Sequence, residues 1–268
     1  MRDAVVAVIA AAVALAAAPA CADVPKWEAG FGLAALELPH YRGSDQSRAW
    51  LLPLPYFVYR GDVLKADREG ARALLLQSAR IDFDISVAAA APTHSHDNTA
   101  RSGMPDLKPM AELGPSAKVS LLRSGDLSMD LRVPLRAAFT IESKPRHVGW
   151  TLSPHLAVDL RRGGWDLGVY TGPVLADRRY LATFYDVPAA YATASRPAYR
   201  SGGGRAGWQF VAGASRRVGD LWLGAYAKLD DVSGSAFDGS PLVRRRSTVS
   251  YGIGLSWVFA HSAERVRE

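Results

Sequence analysis

The sequence has little cysteine and little continuous hydrophobicity. Cys21 is the only cysteine in the 268 residues, and it lies close to the N-terminus. If the first 22 residues are removed, the chain has no thiol, which excludes a disulfide framework, a cysteine nucleophile and a thiolate metal site. After residue 22, no stretch approaches the roughly 20 apolar residues that a membrane-spanning helix needs.

The N-terminal segment has the pattern of a secretory signal peptide. Arg2 precedes an apolar run over residues 4–18, and small residues follow at the spacing of an A-x-A cleavage site. We predict cleavage after Ala22; the alternative is cleavage before a lipidated Cys21. The sequence therefore predicts a signal peptide over 1–22, a β-barrel over 23–259 and a charged tail over 260–268.

Charge is not concentrated on any one face. The formal net charge is +6, but the basic residues are scattered among acidic ones, and no sustained basic stretch is present. This distribution argues against a nucleic-acid partner. The anionic surface of a cell envelope, composed of lipopolysaccharide and phospholipid, is the expected counter-surface.

The last strand shows alternation with a period of two residues most clearly. In residues 247–259, every second side chain from Val249 to Phe259 is apolar or aromatic, and those between are mostly small or polar. A membrane barrel turns such an apolar face to lipid and the small, polar face to its lumen. We expect this strand to close the barrel, with Tyr251, Trp257 and Phe259 toward the membrane.

The same alternation predicts twelve strands, an even number as in bacterial outer-membrane barrels. Pro53 and Pro55 indicate irregular or edge-like pairing for the second strand. The long connections, 39–48, 92–109, 176–204 and 231–246, all follow odd-numbered strands, which places them at one end of an up-and-down antiparallel barrel. A soluble lipocalin-like barrel or sandwich is the alternative fold. The predicted strands are 27–38, 50–59, 63–67, 71–76, 80–90, 110–122, 127–141, 150–161, 165–175, 205–216, 221–230 and 247–259.

Four short motifs carry a resemblance to a known family. They are YRGS at 41–44, FYDV at 184–187, DGSPLV at 238–243 and GIGLSWVF at 252–259. In this order they resemble the MipA/OmpV family of outer-membrane proteins. The chain departs from the family pattern at Asp186, where glycine is usual, and in the charged tail after Phe259.

The resemblance implies an outer-membrane barrel of a Gram-negative bacterium, acting as a scaffold. Such a scaffold holds a lytic transglycosylase and a bifunctional murein synthase together during growth of the cell wall. Other members of the family are porin-like, adhesive or linked to antibiotic response. The resemblance implies no catalytic residues, and we expect no cofactor.

Two groups of residues are candidates for a metal site and a catalytic site. His94, His96 and Asp97 have ligand types that suit zinc or copper, but their flexible, polar surroundings favour a solvated loop. Ser153, His155 and Asp159 lie on the lumen face of one predicted strand, with side chains parallel rather than converging as hydrolysis requires. We therefore expect neither a metal site nor a catalytic site.

The charged residues of the strands are expected to line the lumen, where mixed signs either pair or border water. Interleaved arginine and tyrosine in the longest connection are typical of a recognition surface, or of a loop packed over the barrel mouth. The expected lumen charges are Asp82, Asp84, Glu112, Lys118, Asp130, Arg132, Arg136, His155, Asp159 and Arg161. The residues of the external loop are Arg178, Arg179, Tyr180, Tyr185, Tyr191 and Tyr199.

Three functions are consistent with these features. A scaffold for peptidoglycan-remodelling enzymes is the first. A narrow porin-like channel for small solutes is the alternative, and a lipid-modifying outer-membrane enzyme is the third. The expected partners are outer-membrane lipids, lipopolysaccharide and the two murein enzymes.

Overall fold

The structure is a computed structural model that describes residues 23–60, 64–67, 70–77 and 81–267; the predicted signal peptide lies outside these residues. The described residues lie almost entirely in strands and connections, and among them is one α-helix, α1 (Arg178–Tyr185). Among the described residues, no helix is long and apolar enough to cross a membrane. The strands are β1 (Asp23–Pro25), β2 (Trp27–Pro39), β3 (Ser47–Arg60), β4 (Leu64–Asp67), β5 (Gly70–Gln77), β6 (Ile81–Ala90), β7 (Met110–Ser124), β8 (Leu127–Thr140), β9 (His147–Leu152), β10 (His155–Arg162), β11 (Trp165–Ala176), β12 (Gly204–Val218), β13 (Leu221–Asp231), β14 (Ser247–His261) and β15 (Arg265–Arg267).

The strands from β2 to β14 form one antiparallel wall that returns to its own start. Each strand pairs with the next along the chain, except that β9 does not pair with β10. β14 pairs with β2, from Tyr251 opposite Glu37 to His261 opposite Glu28. β9 and β10 are two halves of one strand, since both pair with β8 on one side and with β11 on the other. Counted in this way, the described wall has the twelve strands that the alternation predicts. The barrel prediction is confirmed.

The interruption between β9 and β10 has a local cause. Pro154 has no backbone N–H to donate to the ladder, and Ser153 N donates instead to Pro134 O at 3.2 Å. The chain resumes its pairing with β8 at His155. One predicted strand is therefore built as two segments.

The outer surface of the wall is apolar. Tyr251, Trp257 and Phe259 expose 54%, 59% and 57% of their surface, whereas their neighbour Val258 is 2% exposed and faces inward. The other large hydrophobic residues that face outward lie on the same side of their strands, among them Phe31, Leu33, Val169 and Phe210. A water-soluble fold would bury such a surface, whereas lipid covers it in a membrane barrel.

The edge-like character predicted for the second strand is also observed. β3 pairs with β2 along its whole length, from Trp27–Tyr59 to Pro39–Ser47. On its other side, the pairing between described residues is with β4 at Tyr59 and Arg60. Prolines cannot donate to a ladder and are therefore tolerated at such an edge.

The first and last described segments of the chain meet at the end of the barrel that has short turns. β1 and β15 pair antiparallel, with Val24 opposite Val266, and form a separate two-stranded sheet. Lys26 joins them through its backbone N–H, which donates to Glu264 O at 2.9 Å, and through its Nζ, 3.0 Å from Glu264 Oε1. The end with short turns faces the periplasm in outer-membrane barrels, so this pair of strands, the periplasmic ribbon, lies there.

Candidate functional site

The four long connections pack together over the outer mouth of the barrel. We call the connections 40–46, 91–109, 177–203 and 232–246 the lid. Their apolar side chains form one buried cluster with the outer ends of β11 and β12. A closed, hydrophobic lid is thus present where the sequence alone allowed either a recognition surface or a cover. The buried residues of the cluster are Tyr41, Met104, Leu107, Val174, Ala176, Leu181, Tyr185, Val187, Ala206, Val232, Phe237 and Leu242.

Helix α1 forms part of the lid. Asp177 begins it as the N-cap, accepting a hydrogen bond from Tyr180 N at 2.7 Å. The helix buries Leu181 and Tyr185 and lies over Gly149 of β9. Gly149 has a φ of +143°, and a Cβ there would lie 2.6 Å from Tyr180 N. Only glycine allows this close approach of strand and helix.

Tyr185 lies at the centre of the lid. It is 3% exposed, and its ring stacks on that of Phe237 with centroids 3.5 Å apart and planes 7° from parallel. Its hydroxyl donates to Arg42 O at 2.9 Å, and its carbonyl accepts from Ser240 Oγ at 2.8 Å. Burial raises the pKa of the Tyr185 phenol, and it raises the pKa of Tyr41 to about 12. One side chain therefore joins three of the four connections.

Asp186, which departs from the family pattern, has a structural role. Its φ of −71° is ordinary extended backbone, so the position does not require glycine. Its carboxylate accepts hydrogen bonds from Ser201 N at 2.6 Å and from Ser201 Oγ at 2.7 Å. Arg178 Nη2 lies 3.0 Å from the other oxygen. The charge thus ties the start of the longest connection to its end.

Arginines link the second and third connections of the lid through backbone carbonyls. Arg101 is 3% exposed, and its Nη1 donates to Phe184 O at 2.9 Å. Arg196 Nη1 donates to Ala100 O and to Ser102 O, both at 2.9 Å. Hydrogen bonds from a charged guanidinium are stronger than neutral ones, so they fix the lid as one unit.

The predicted residues of the external loop divide into two groups. Tyr185 is buried and Tyr180, Tyr191 and Tyr199 are partly buried against the cluster. Arg178 and Arg179 are exposed on the outside of the lid. The tyrosines therefore hold the lid closed, and the arginines form its outer surface.

The lumen beneath the lid holds buried charges in small groups. Glu112 accepts from Tyr180 Oη at 2.7 Å and from Thr151 Oγ1 at 3.1 Å. Asp230 lies 3.4 Å from Arg42 Nη1 and 3.0 Å from Lys228 Nζ. Since buried charges must be paired or hydrogen-bonded, the lid and the upper wall depend on each other.

A second group of charges lies nearer the periplasmic end. Asp130 lies 3.7 Å from Lys118 and 3.7 Å from Arg132. Lys118 also lies 3.9 Å from Asp82, and Arg132 also lies 3.9 Å from Asp159. The structure thus places nine of the ten expected charges inside the wall, where Asp84, Arg136 and His155 border a central cavity. Arg161 is exposed near the periplasmic end of β10, 3.5 Å from Asp166.

The central cavity has a volume of about 580 Å³ and lies in the middle of the lumen. Its lining includes Arg132, Arg136 and His155 on one side and Leu54 and Trp222 on the other. This volume is within the range of small-molecule sites.

The candidate metal ligands and the candidate catalytic residues make local contacts. His94 Nδ1 lies 3.0 Å from Asp106 Oδ2, and His96 Nε2 lies 3.0 Å from Asp97 Oδ1. The described residues contain no group of three or more His, Cys, Asp or Glu that could hold a metal. His155 Nδ1 lies 2.8 Å from the backbone carbonyl of Ser153, not from its hydroxyl.

A comparison with protein families gives the decisive match. A family model described as MltA-interacting protein MipA matches residues 31–259. The chain belongs to that family. This member of the MipA family is an outer-membrane barrel protein of a Gram-negative bacterium.

Solved structures with a similar arrangement are outer-membrane proteins of low sequence identity. A bacterial polysaccharide outer-membrane secretin is 9% identical with a TM-score of 0.45, over 89% of this chain and 100% of that one. An outer-membrane channel from Pseudomonas putida F1 is 13% identical with a TM-score of 0.43, over 91% and 100%. Outer membrane phospholipase A from Escherichia coli is 9% identical with a TM-score of 0.35, over 88% and 94%. No curated protein matches the chain.

Two sets of residues in this MipA-family protein were not identified from the sequence. One is the apolar centre of the lid, including Phe237 and Leu242, which are fully buried. The sequence feature that could have identified them is the presence of large hydrophobic residues in the long connections between strands. The other is the apolar side of the cavity, including Leu54 and Trp222. The sequence feature that could have identified these residues is that they are large and apolar on a lumen face that is otherwise mostly small or polar.

Proposed function

We propose that this MipA-family protein is a non-enzymatic scaffold that holds a lytic transglycosylase and a murein synthase at the inner face of the outer membrane. The description of the family, MltA-interacting protein, supports a murein enzyme as partner. The periplasmic ribbon is the observation that carries the proposal, because it provides a docking element beyond the short turns.

The ribbon offers a sheet edge at which a strand of another protein can dock. In the described part of the chain, β1 and β15 form a two-stranded sheet separate from the barrel wall, so the edges of this sheet lie outside the wall. An extended segment of another protein adds to such an edge through backbone hydrogen bonds. The ribbon is also anchored, since Trp27 N donates to Ser262 Oγ at 3.2 Å and Ser262 N donates to Trp27 O at 2.9 Å.

The ribbon can be disrupted without touching the barrel wall. β14 ends at His261, whereas Val266 lies beyond it and pairs only with Val24. Proline at 266 removes the backbone N–H and breaks the ribbon. Threonine at 266 is the matched control, because it keeps a β-branched strand residue.

The test is capture of partners from cross-linked cells. Wild-type protein and V266T should recover a lytic transglycosylase and a murein synthase after detergent solubilisation, and V266P should lose both. Comparing heated and unheated gel samples establishes that each variant is a folded barrel. Recovery of a folded wild-type barrel without murein enzymes would contradict the scaffold, and full recovery with V266P would contradict docking through the ribbon.

The second proposal, a narrow channel for small solutes, is supported by the central cavity. A lumen with about 580 Å³ of open volume has room for a small solute. The packed lid opposes continuous flow, so a channel would require the lid to open. Discrete conductance steps in planar bilayers from the wild-type protein would favour the channel.

A further inference from the structure

The central cavity has two chemically different walls. Its apolar wall comes from β2, β3 and β13 and includes Leu36, Leu54, Trp222 and Tyr226. Its polar wall comes from β6, β8 and β10 and includes Ser86, Arg132, Arg136, His155 and Asp159. Neither the scaffold nor the lid accounts for this division.

The apolar wall is made by large side chains that lie across glycines. A Cβ at Gly254 of β14 would lie 2.9 Å from Leu54 Cδ2 and 3.4 Å from Trp222 Cζ3. A Cβ at Gly252 would clash with Leu36. Because glycine leaves this space open, the large side chains lie along the wall and leave the cavity free.

The polar wall offers one arginine that has no carboxylate within ion-pair distance among the described residues. Arg136 Nε and Nη2 donate to Ser86 Oγ at 3.0 and 2.7 Å, and Arg136 forms no ion pair with a described carboxylate. Glu112, on the adjacent strand, is held by Tyr180 and Thr151. Arg132, in contrast, forms ion pairs with two aspartates.

A part-buried guanidinium whose hydrogen-bond partner is the Ser86 hydroxyl is suited to an anion. Its planar, fixed donors match the geometry of a carboxylate or a phosphate. A charge in a partly desolvated lumen is also strongly stabilised by an opposite charge. The polar wall therefore favours a ligand with one anionic group.

We propose that the central cavity binds an anionic amphiphile, a carboxylate or phosphate group on an apolar chain. Arg136 binds the anionic group, with Ser86 beside it. The chain lies along Leu36, Leu54 and Trp222. This site is independent of the periplasmic ribbon and of any murein enzyme.

Binding is measured by calorimetry on the full barrel in nanodiscs of zwitterionic lipid, after subtraction of empty nanodiscs. Three probes separate the two parts of the ligand: octanoate has both, octanol has only the chain, and propionate has only the anion. Octanoate should bind the wild-type protein more tightly than either partial probe.

Two variants distinguish Arg136 from a general effect of charge. R136Q should weaken octanoate binding at least tenfold and leave octanol unchanged, whereas R178Q, at an exposed arginine on the lid, should change neither. Binding of octanoate to folded R136Q with wild-type affinity would overturn the proposal. Equal binding of propionate and octanoate would overturn the amphiphile and indicate a simple anion site. Murein-enzyme capture by R136Q should be unaffected.

Discussion

Replacing Tyr185 with alanine is expected to open the lid without unfolding the barrel. The side chain contacts Phe237, and its hydroxyl donates to Arg42 O, so its removal weakens contacts between three of the four connections. The strand ladder from β2 to β14 does not include this residue. The variant therefore separates closure of the lid from stability of the wall.

The size of the effect follows from burial. Tyr185 is 3% exposed, and removing a fully buried aromatic side chain costs about 3 to 5 kcal/mol, part of it from the cavity that is left. Since about 1.4 kcal/mol is a factor of ten, opening becomes at least about 10²-fold more frequent. Tyr185→Phe loses only the hydrogen bond, worth about 0.5 to 1.5 kcal/mol, and should change opening by about tenfold or less.

The assay is the labelling rate of a single cysteine in the lumen. Ser116 lines the cavity and is 6% exposed, so Ser116→Cys places a thiol behind the lid. Cys21, the only native cysteine, is replaced to remove background. A membrane-impermeant maleimide is added outside intact cells, and the rate reports how often the lid opens.

The ordering of the three proteins is the decisive result. Labelling should be slowest in the wild-type protein, modestly faster in Tyr185→Phe and much faster in Tyr185→Ala. Equal rates for all three folded barrels would refute the assignment of closure to this residue. Equal acceleration in both variants would show that the hydrogen bond, not the stacked ring, holds the lid.

Three further predictions concern the lid. Burial raises the pKa of Tyr41 to about 12 and also raises the pKa of Tyr185. The closed lid therefore keeps its full stability below about pH 10 and loses it as the pH rises further. Ultraviolet titration should show that these phenols ionise late and together, as the lid opens. Gly149→Ala should accelerate lumen labelling, because its Cβ meets Tyr180 N and its φ is positive; a wild-type rate would contradict this close approach. Asp186→Asn loses a charged acceptor and should increase protease cleavage within residues 187–200, while cleavage elsewhere stays at the wild-type level.

Residue patterns in the sequence were sufficient to predict the wall. Alternation in β14 identified its two faces, and the structure exposes Trp257 and Phe259 while burying Ser256 and Val258. Pro53 and Pro55 predicted irregular or edge-like pairing, and among the described residues their ladder partners lie in β2. Local patterns succeed here because strand geometry and the lipid–lumen contrast act on each residue separately. The signal peptide lies outside the described residues and stays a prediction.

The sequence therefore determined the class of fold, the number of strands, the direction in which their side chains point and the end at which the long connections lie. The tertiary structure alone decided what the connections do and how the lumen is divided. Tyr185 and Phe237 lie about fifty residues apart and meet only when two connections pack together. Glu112 of the wall meets Tyr180 of the lid only because the third connection folds back over the barrel mouth. Such contacts depend on positions that distant segments take after the barrel closes, and no local periodicity encodes them.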